Sequence, residues 1–415
     1  MPLIPALALT LLFTVSATAG DWPQWLGPTR NANSAEKVAP WKDAPQTLWK
    51  KPAGEGNSSP VVANGRVFIH AKVADKNEEE VVAYDAVSGK EAWRTKYDRV
   101  AFSSPYGNGP RGTPAVHNGK VYTFGITGVL TCFNAASGAI VWQKDTLKEF
   151  EVKNLFFGMA GSPLVEHGQV YVNVGGKGTS VVAYDASKGG VLWKAGNDKA
   201  SYSSPIIFGS GKSRQLVFLT GEGVLSLKPE DGTIFWHYPL VDKLFESSTT
   251  PVKVGERLMA SAITFGSVGL LLEKKDDKPA FKEEWKNAAL TSYFSTPVAV
   301  GQDVMDHVYL VTGANPLAFK SAEATLHCVD MKTGKTTWSK PKIGTYHAAL
   351  MRLGDGRLLL LDDHGSLALL EADTKEYKEI CRSKVCGDTW AHPALSDGRL
   401  YIRDGKELIC LQLGK

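Results

Sequence analysis

The sequence predicts an all-β chain folded as an eight-bladed β-propeller of four-stranded antiparallel blades, the last blade closed by the N-terminal strand. Three observations predict it. One stretch, clearest at Gly161 to Trp193 (GSPLVEHGQVYVNVGGKGTSVVAYDASKGGVLW), recurs eight times along the 415 residues. Its turn glycines keep step from copy to copy. A proline series and a tryptophan series mark the repeat and run out of phase at the chain ends.

Within the clearest copy, apolar runs at Leu164 to Val165, Val170 to Val174 and Val181 to Tyr184 precede a fourth ending at Trp193, with turn residues at every junction. That is the pattern of an antiparallel meander. Between first and second strands stand Asn64-Gly65, Asn118-Gly119, His167-Gly168, Asp355-Gly356 and Asp397-Gly398, pairs suited to the positive φ of a two-residue hairpin loop. Ser88-Gly89, Ser137-Gly138, Lys188-Gly189, Asp231-Gly232 and Thr333-Gly334 are expected to repeat the device between third and fourth strands.

The first strand opens at Pro60, Pro114, Pro163, Pro205, Pro251, Pro297, Ala348 and Pro393, where a strand start can spare one N–H. The spacing is near the roughly 40–50 residues of one blade. The fourth strand carries Trp49, Trp93, Trp142, Trp193, Trp236, Trp285 and Trp338, with Tyr377 or Ile380 in the weak eighth position. Trp49 precedes the first proline, and the last copy ends at Leu408 to Leu413. The segment about Gln46 to Lys51 is therefore expected to complete the final blade and remove an open edge.

With 43% hydrophobic and 22% charged residues, the chain can bury a large core, and one radial domain over residues 46–415 is expected. Lys+Arg 47 against Asp+Glu 43 gives a formal +4 without a basic block, which leaves nucleic-acid binding unsupported. Met1 to Ala19 reads as an export signal: an apolar run from Leu3 to Val15, then Ala17-Thr18-Ala19, although its start lacks Lys and Arg. The run is too short to span a membrane, and no cysteine follows it to carry a lipid. A periplasmic or secreted monomer is the expectation.

Cys132, Cys328 and Cys410 share one third-strand position with Ala83, Ala183 and Ser226, a slot for a small residue. Cys381 and Cys386, in CRSKVC, are near enough for a local disulfide or two free thiols, and the run lacks the C-x-x-C-H of attached haem. Residues 20–45 hold three tryptophans and four prolines outside the repeat register. They are expected to lie extended, covering apolar surface, or to block the channel or present Trp22 and Trp25 to a partner.

At AYDAVSGKEAW (Ala83 to Trp93) and CVDMKTGKTTW (Cys328 to Trp338) the pattern resembles the tryptophan-docking repeat of pyrroloquinoline-quinone-type propellers. Asp85, Asn134, Asp185, Lys228 and Asp330 each stand eight residues before their tryptophan. The resemblance covers Gln46 to Lys415 and implies that each indole wedges between neighbouring blades, its N–H bonding a backbone carbonyl. WPQWLGPTR, SYSSP and HPALSDGRLYIRD look most like the exported PQQ-binding-like or BamB-like members. The dehydrogenase branch would imply pyrroloquinoline quinone with calcium, carboxylate ligands, a catalytic Asp and a vicinal cysteine pair. No adjacent Cys-Cys occurs here, and the calcium and catalytic groups fall on no matching motif, so none is carried over.

Two further motifs read as turns. Gly107 to Gly112 matches G-x-G-x-x-G but is followed by a strand, and Gly211-Lys212-Ser213 lacks the first P-loop glycine. The loops entering each first strand converge on one channel mouth and bring Phe102, Tyr106, Arg111, Phe156, Phe157, Tyr202, Glu246, Tyr293, Phe294, Tyr346, His347, Asp388, Trp390 and His392. Aromatics with a few polar groups suit a ligand site, or simply pack the mouth. His347 and His392 occupy equivalent positions and, with Asp388 or Glu246, would make a metal site or bond neighbouring loops. No role is assigned to the other histidines. Two second-to-third-strand connections, Ala71 to Glu80 and Gly313 to Ala324, should rise beside that mouth, the first as a solvated loop or a partner surface.

The reading is a non-catalytic exported propeller, a protein-interaction scaffold or small-ligand module, with no cofactor assigned. A quinone-dependent alcohol or sugar dehydrogenase is the alternative.

Overall fold

A computed structural model describes residues 20–301, 305–313 and 323–414. Residues 1–19, where an export signal is expected, and most of the Gly313 to Ala324 connection lie outside the described residues. Eight four-stranded antiparallel sheets surround a central axis. Blade 1 shows the plan, with strands β2 (Val61–Ala63), β3 (Arg66–Lys72), β4 (Glu78–Asp85) and β5 (Glu91–Asp98) paired in sequence order.

β1 (Gln46–Pro52) pairs antiparallel with Glu407–Gln412 and completes blade 8 from the opposite end of the chain. It sets Trp49 opposite Cys410. The inner strands of blades 8 and 1 touch, so the ring is closed.

The small-residue slot has a physical cause. Across the third and fourth strands, Ala83 faces Trp93, Cys132 faces Trp142, Ala183 faces Trp193, Ser226 faces Trp236 and Cys328 faces Trp338. A small partner lets the indole lie flat against its own sheet while its far face meets the next blade. The indole N–H groups of Trp93, Trp142, Trp193, Trp285 and Trp338 then bond the next blade's Ala135, Ala186, Pro229, Met331 and Asp373 carbonyls at 2.9–3.1 Å. Trp49 reaches Ala86 at 3.3 Å. The neighbouring turn must also be bare: Gly138 has φ +77°, and a Cβ there would come 2.6 Å from Trp93.

Four expectations need correction. The glycine-bearing third-to-fourth turns are not two-residue hairpins. Gly89 N–H bonds Asp85 O, while the Asp85 carboxylate accepts from Val87 N, Ser88 N and Ser88 Oγ, an Asx-type loop that Asn134, Asp185 and Asp330 repeat. In blade 5 the added residues lengthen both strands, Gly266–Lys275 and Lys278–Asn287, and the turn is tight at Asp276-Asp277, both with positive φ. Trp236, facing that longer blade, bonds Gln215 Oε1 of its own sheet and packs on Phe281.

Blade 7 lacks its tryptophan, but neither Tyr377 nor Ile380 takes the place. The residue in register is Cys381, opposite Leu369, so the large and small partners have exchanged strands. Half of the Ala71 to Glu80 connection is strand, leaving residues 73–77 as the turn, and Glu79 and Glu80 are buried.

Residues 20–45 thread the molecule. Trp22 bridges Val62, and Pro23 O accepts from Val116 N. Arg30 enters the channel, donating to Pro205 O, Pro163 O and Ser162 O. The segment then runs beside Arg352 and bonds Gly414 through Ala39. Trp41 donates to Ser383 Oγ at 3.1 Å, on the blade that has no indole of its own, and packs against the same buried cluster as Ile380 and Cys381. Trp22 is 2% exposed, so it is not presented to a partner. Among the described residues no helix is long and apolar enough to cross a membrane.

Candidate functional site: an aromatic bowl over a filled channel

The residue before each first strand builds the channel collar. In six blades it is Ser59, Thr113, Ser162, Ser204, Thr250 or Thr296; in blades 7 and 8 it is His347 or His392. Backbone N–H groups bond the next blade's hydroxyl around the ring: His392 to Ser59, Ser59 to Thr113, Thr113 to Ser162, Ser162 to Ser204 and Thr250 to Thr296, at 2.8–3.2 Å. The column is visible in the sequence as a Ser or Thr before each of six series prolines, with His347 and His392 as its two departures.

The two histidines belong to that collar. His347 Nδ1 lies 3.0 Å from Ser295 Oγ, and His392 Nε2 lies 2.9 Å from Leu350 O and stacks on Trp22. Burial pulls the His347 imidazole down to about 4 and lowers His392 as well. Neither pairs with Glu246 or Asp388, and among the described residues no group of three His, Cys, Asp or Glu could hold a metal.

Above the collar lies a bowl open to solvent. Of the residues expected at the mouth, Arg111, Phe157, Tyr202, Glu246, Tyr293 and Trp390 line it, with Tyr106 and Phe294. Its remaining lining includes Trp25 from the threaded segment, whose indole N–H bonds Thr250 Oγ1 at 2.8 Å. Trp25 and the buried Arg30 obstruct the channel with the chain's own residues.

The other candidates lie outside. Phe156 stands on the rim, 69% exposed, its ring edge-on to Phe157 at 4.8 Å. Tyr346 packs behind Trp390 at 6.1 Å. Phe102 is half-buried in its loop. Asp388 lines a second recess of about 510 Å³, which shares Asn57, Tyr106 and Trp390 with the bowl.

Electrostatically the bowl is nearly spent. Arg111 donates to the Tyr106, Gly107 and Gly109 carbonyls of its own loop. Glu246 accepts from the Tyr293 hydroxyl, and burial holds its carboxyl above the ordinary range despite that bond. Calcium takes six to eight oxygen ligands, commonly several carboxylates. One bonded carboxylate in the lining does not fit a calcium–quinone site.

Cys381 and Cys386 are free thiols, and Cys386 is buried with burial pushing it up to about 12.

Eight four-stranded blades joined by docked indoles define the class: a quinoprotein-type β-propeller. A family model described as outer membrane protein assembly factor BamB matches residues 38–101 and 77–340. The chain belongs to that family. The outer membrane protein assembly factor BamB of Shewanella oneidensis is 24% identical over 345 residues, covering 80% of this chain and 81% of the relative. The crystal structure of BamB from Moraxella catarrhalis superposes with a TM-score of 0.59 at 14% identity, over 88% of this chain and 98% of that one. Quinohemoprotein alcohol dehydrogenase from Comamonas testosteroni gives 0.66 at 15% identity, over 95% of this chain and 81% of that one. At such identities the structural likeness speaks for the fold alone.

Proposed function

We propose that this is an exported, periplasmic, non-catalytic propeller that works by binding, with the mouth loops as the contact surface and a protein of outer-membrane assembly as the partner. The observation that carries it is Phe156, an exposed ring standing on an aromatic wall above an obstructed channel. Aromatic anchors with exposed apolar area are what interface centres use. The BamB relatives, matched over most of their length, support a scaffold.

The test is a photoreactive amino acid at position 156 in the living host. Discrete adducts with outer-membrane assembly proteins are expected. Only intramolecular products, from a chain that still folds, would sink the reading.

The competing quinone-dependent dehydrogenase draws on the fold of its neighbours. It requires dye-linked oxidation of alcohols or sugars after addition of pyrroloquinoline quinone and calcium. Turnover in that assay would overturn the scaffold assignment.

A further inference from the structure

The wall of the bowl is a chain of rings closed by a carboxylate. Centroids run from Tyr293 to Phe294 at 3.8 Å, to Trp390 at 4.7 Å, to Tyr106 at 6.2 Å, to Phe157 at 5.7 Å and to Tyr202 at 5.7 Å. The two ends meet at one loop. Tyr202 N–H bonds Ser247 O at 2.9 Å, and the Tyr293 hydroxyl bonds the adjacent Glu246.

Most polar side chains of the lining already have partners. Ser162 Oγ accepts from Thr113 N, Ser204 Oγ accepts from Ser162 N, and Ser248 Oγ donates to Tyr293 O. The Arg111 guanidinium braces its own loop. What remains to face a ligand is mainly aromatic surface, with the Asn57 amide, the Tyr106 hydroxyl and one charge of each sign, the Arg111 guanidinium tied into its own loop and the Glu246 carboxylate, 8% exposed. A ligand rich in hydroxyls would find few partners there for the water it loses. A weakly hydrated cation that needs no hydrogen bonds is held by ring quadrupoles and a nearby negative charge.

We propose that the bowl is an aromatic cage for a quaternary ammonium group. The proposal rests on the binding reading of the mouth and names the ligand chemistry of that site. Burial, opposed by the Tyr293 hydroxyl and assisted by Asp242, holds the Glu246 carboxyl above its usual range, and a cation beside it favours the ionised form.

Calorimetric titration of the whole protein with choline and with 3,3-dimethylbutan-1-ol, its uncharged isostere, tests this. Choline is expected to bind about tenfold or more tightly than the isostere, the scale of a desolvated cation–π contact. Glu246→Gln should weaken choline and leave the isostere unchanged; Trp390→Leu should weaken choline more than the isostere. Both variants are to be checked by melting temperature. Equal affinity for the two probes, or no saturable choline binding at millimolar concentration, overturns the cage. Such a failure with the position-156 adducts retained removes the cage and leaves the scaffold reading intact.

Discussion

At the scale of single residues, the most consequential group outside the bowl is one that the sequence presents as a solvated acid. Glu79 is fully buried between blades 1 and 2, where Tyr97 Oη donates at 2.7 Å, Ile126 N at 3.0 Å, and His70 Nε2 lies 3.1 Å away. Burial opposes ionisation, but the His70, Tyr97 and Ile126 bonds outweigh it and hold the carboxyl below its usual range. A carboxyl depressed in the fold stabilises it above the ordinary carboxylate range and loses that contribution as pH falls. Melting temperature should therefore drop between pH 7 and pH 4 more steeply in the wild type than in Glu79→Gln. At pH 7 that variant should unfold roughly 3–5 kcal/mol more easily, the cost of breaking a buried charged network. Parallel curves would show that the cluster carries no charge linkage. Nothing in the run Glu78-Glu79-Glu80 distinguishes its middle member; strand length and the partners Tyr97 and Ile126 do, and these come from other elements.

At the scale of the blade, the repeat is legible because each copy restates the same packing constraint. A small third-strand residue, an indole opposite it and a bare turn on the next blade recur at fixed offsets, so a lapse in one copy is corrected by the rest. Trp193→Ala, which empties one such wedge, should cost roughly 3–5 kcal/mol by denaturant titration, as for large aromatic truncations in cores. An unchanged midpoint would mean that the neighbouring blades close over the gap. Blade 7 was illegible for the complementary reason: Leu369 and Cys381 exchange sizes across the strands, and the indole bonded to that blade, Trp41, is distant in sequence. Trp41→Ala should lower the melting temperature, whereas Trp41→Phe should recover most of the loss. The mouth was legible only as a list of loops, since which rings turn inward depends on side-chain direction. Phe157 faces the bowl while Phe156, one residue away, faces water.

At the scale of the whole molecule, β1 and the threaded segment are one continuous stretch, residues 20–52, that both fills the channel and seals the ring. Removing it should expose the edge of Glu407–Gln412 and the channel lining together, and an unpaired edge recruits other chains. Light scattering of a chain beginning at Ala53 should report larger assemblies than the full chain forms. A monodisperse truncated chain would show that blade 8 is stable with three strands.

The same stretch also sets an order of events. Residues 46–52 find their partner strand only after residue 412 has been made, so the circle stays open until then. Sealing is a long-range encounter whose loop spans nearly the entire polypeptide, the sort of closure that slows a search. A circular permutant that carries residues 20–52 after residue 414 would turn this meeting of opposite ends into a local hairpin. It should refold faster than the natural connectivity while reaching the same final stability.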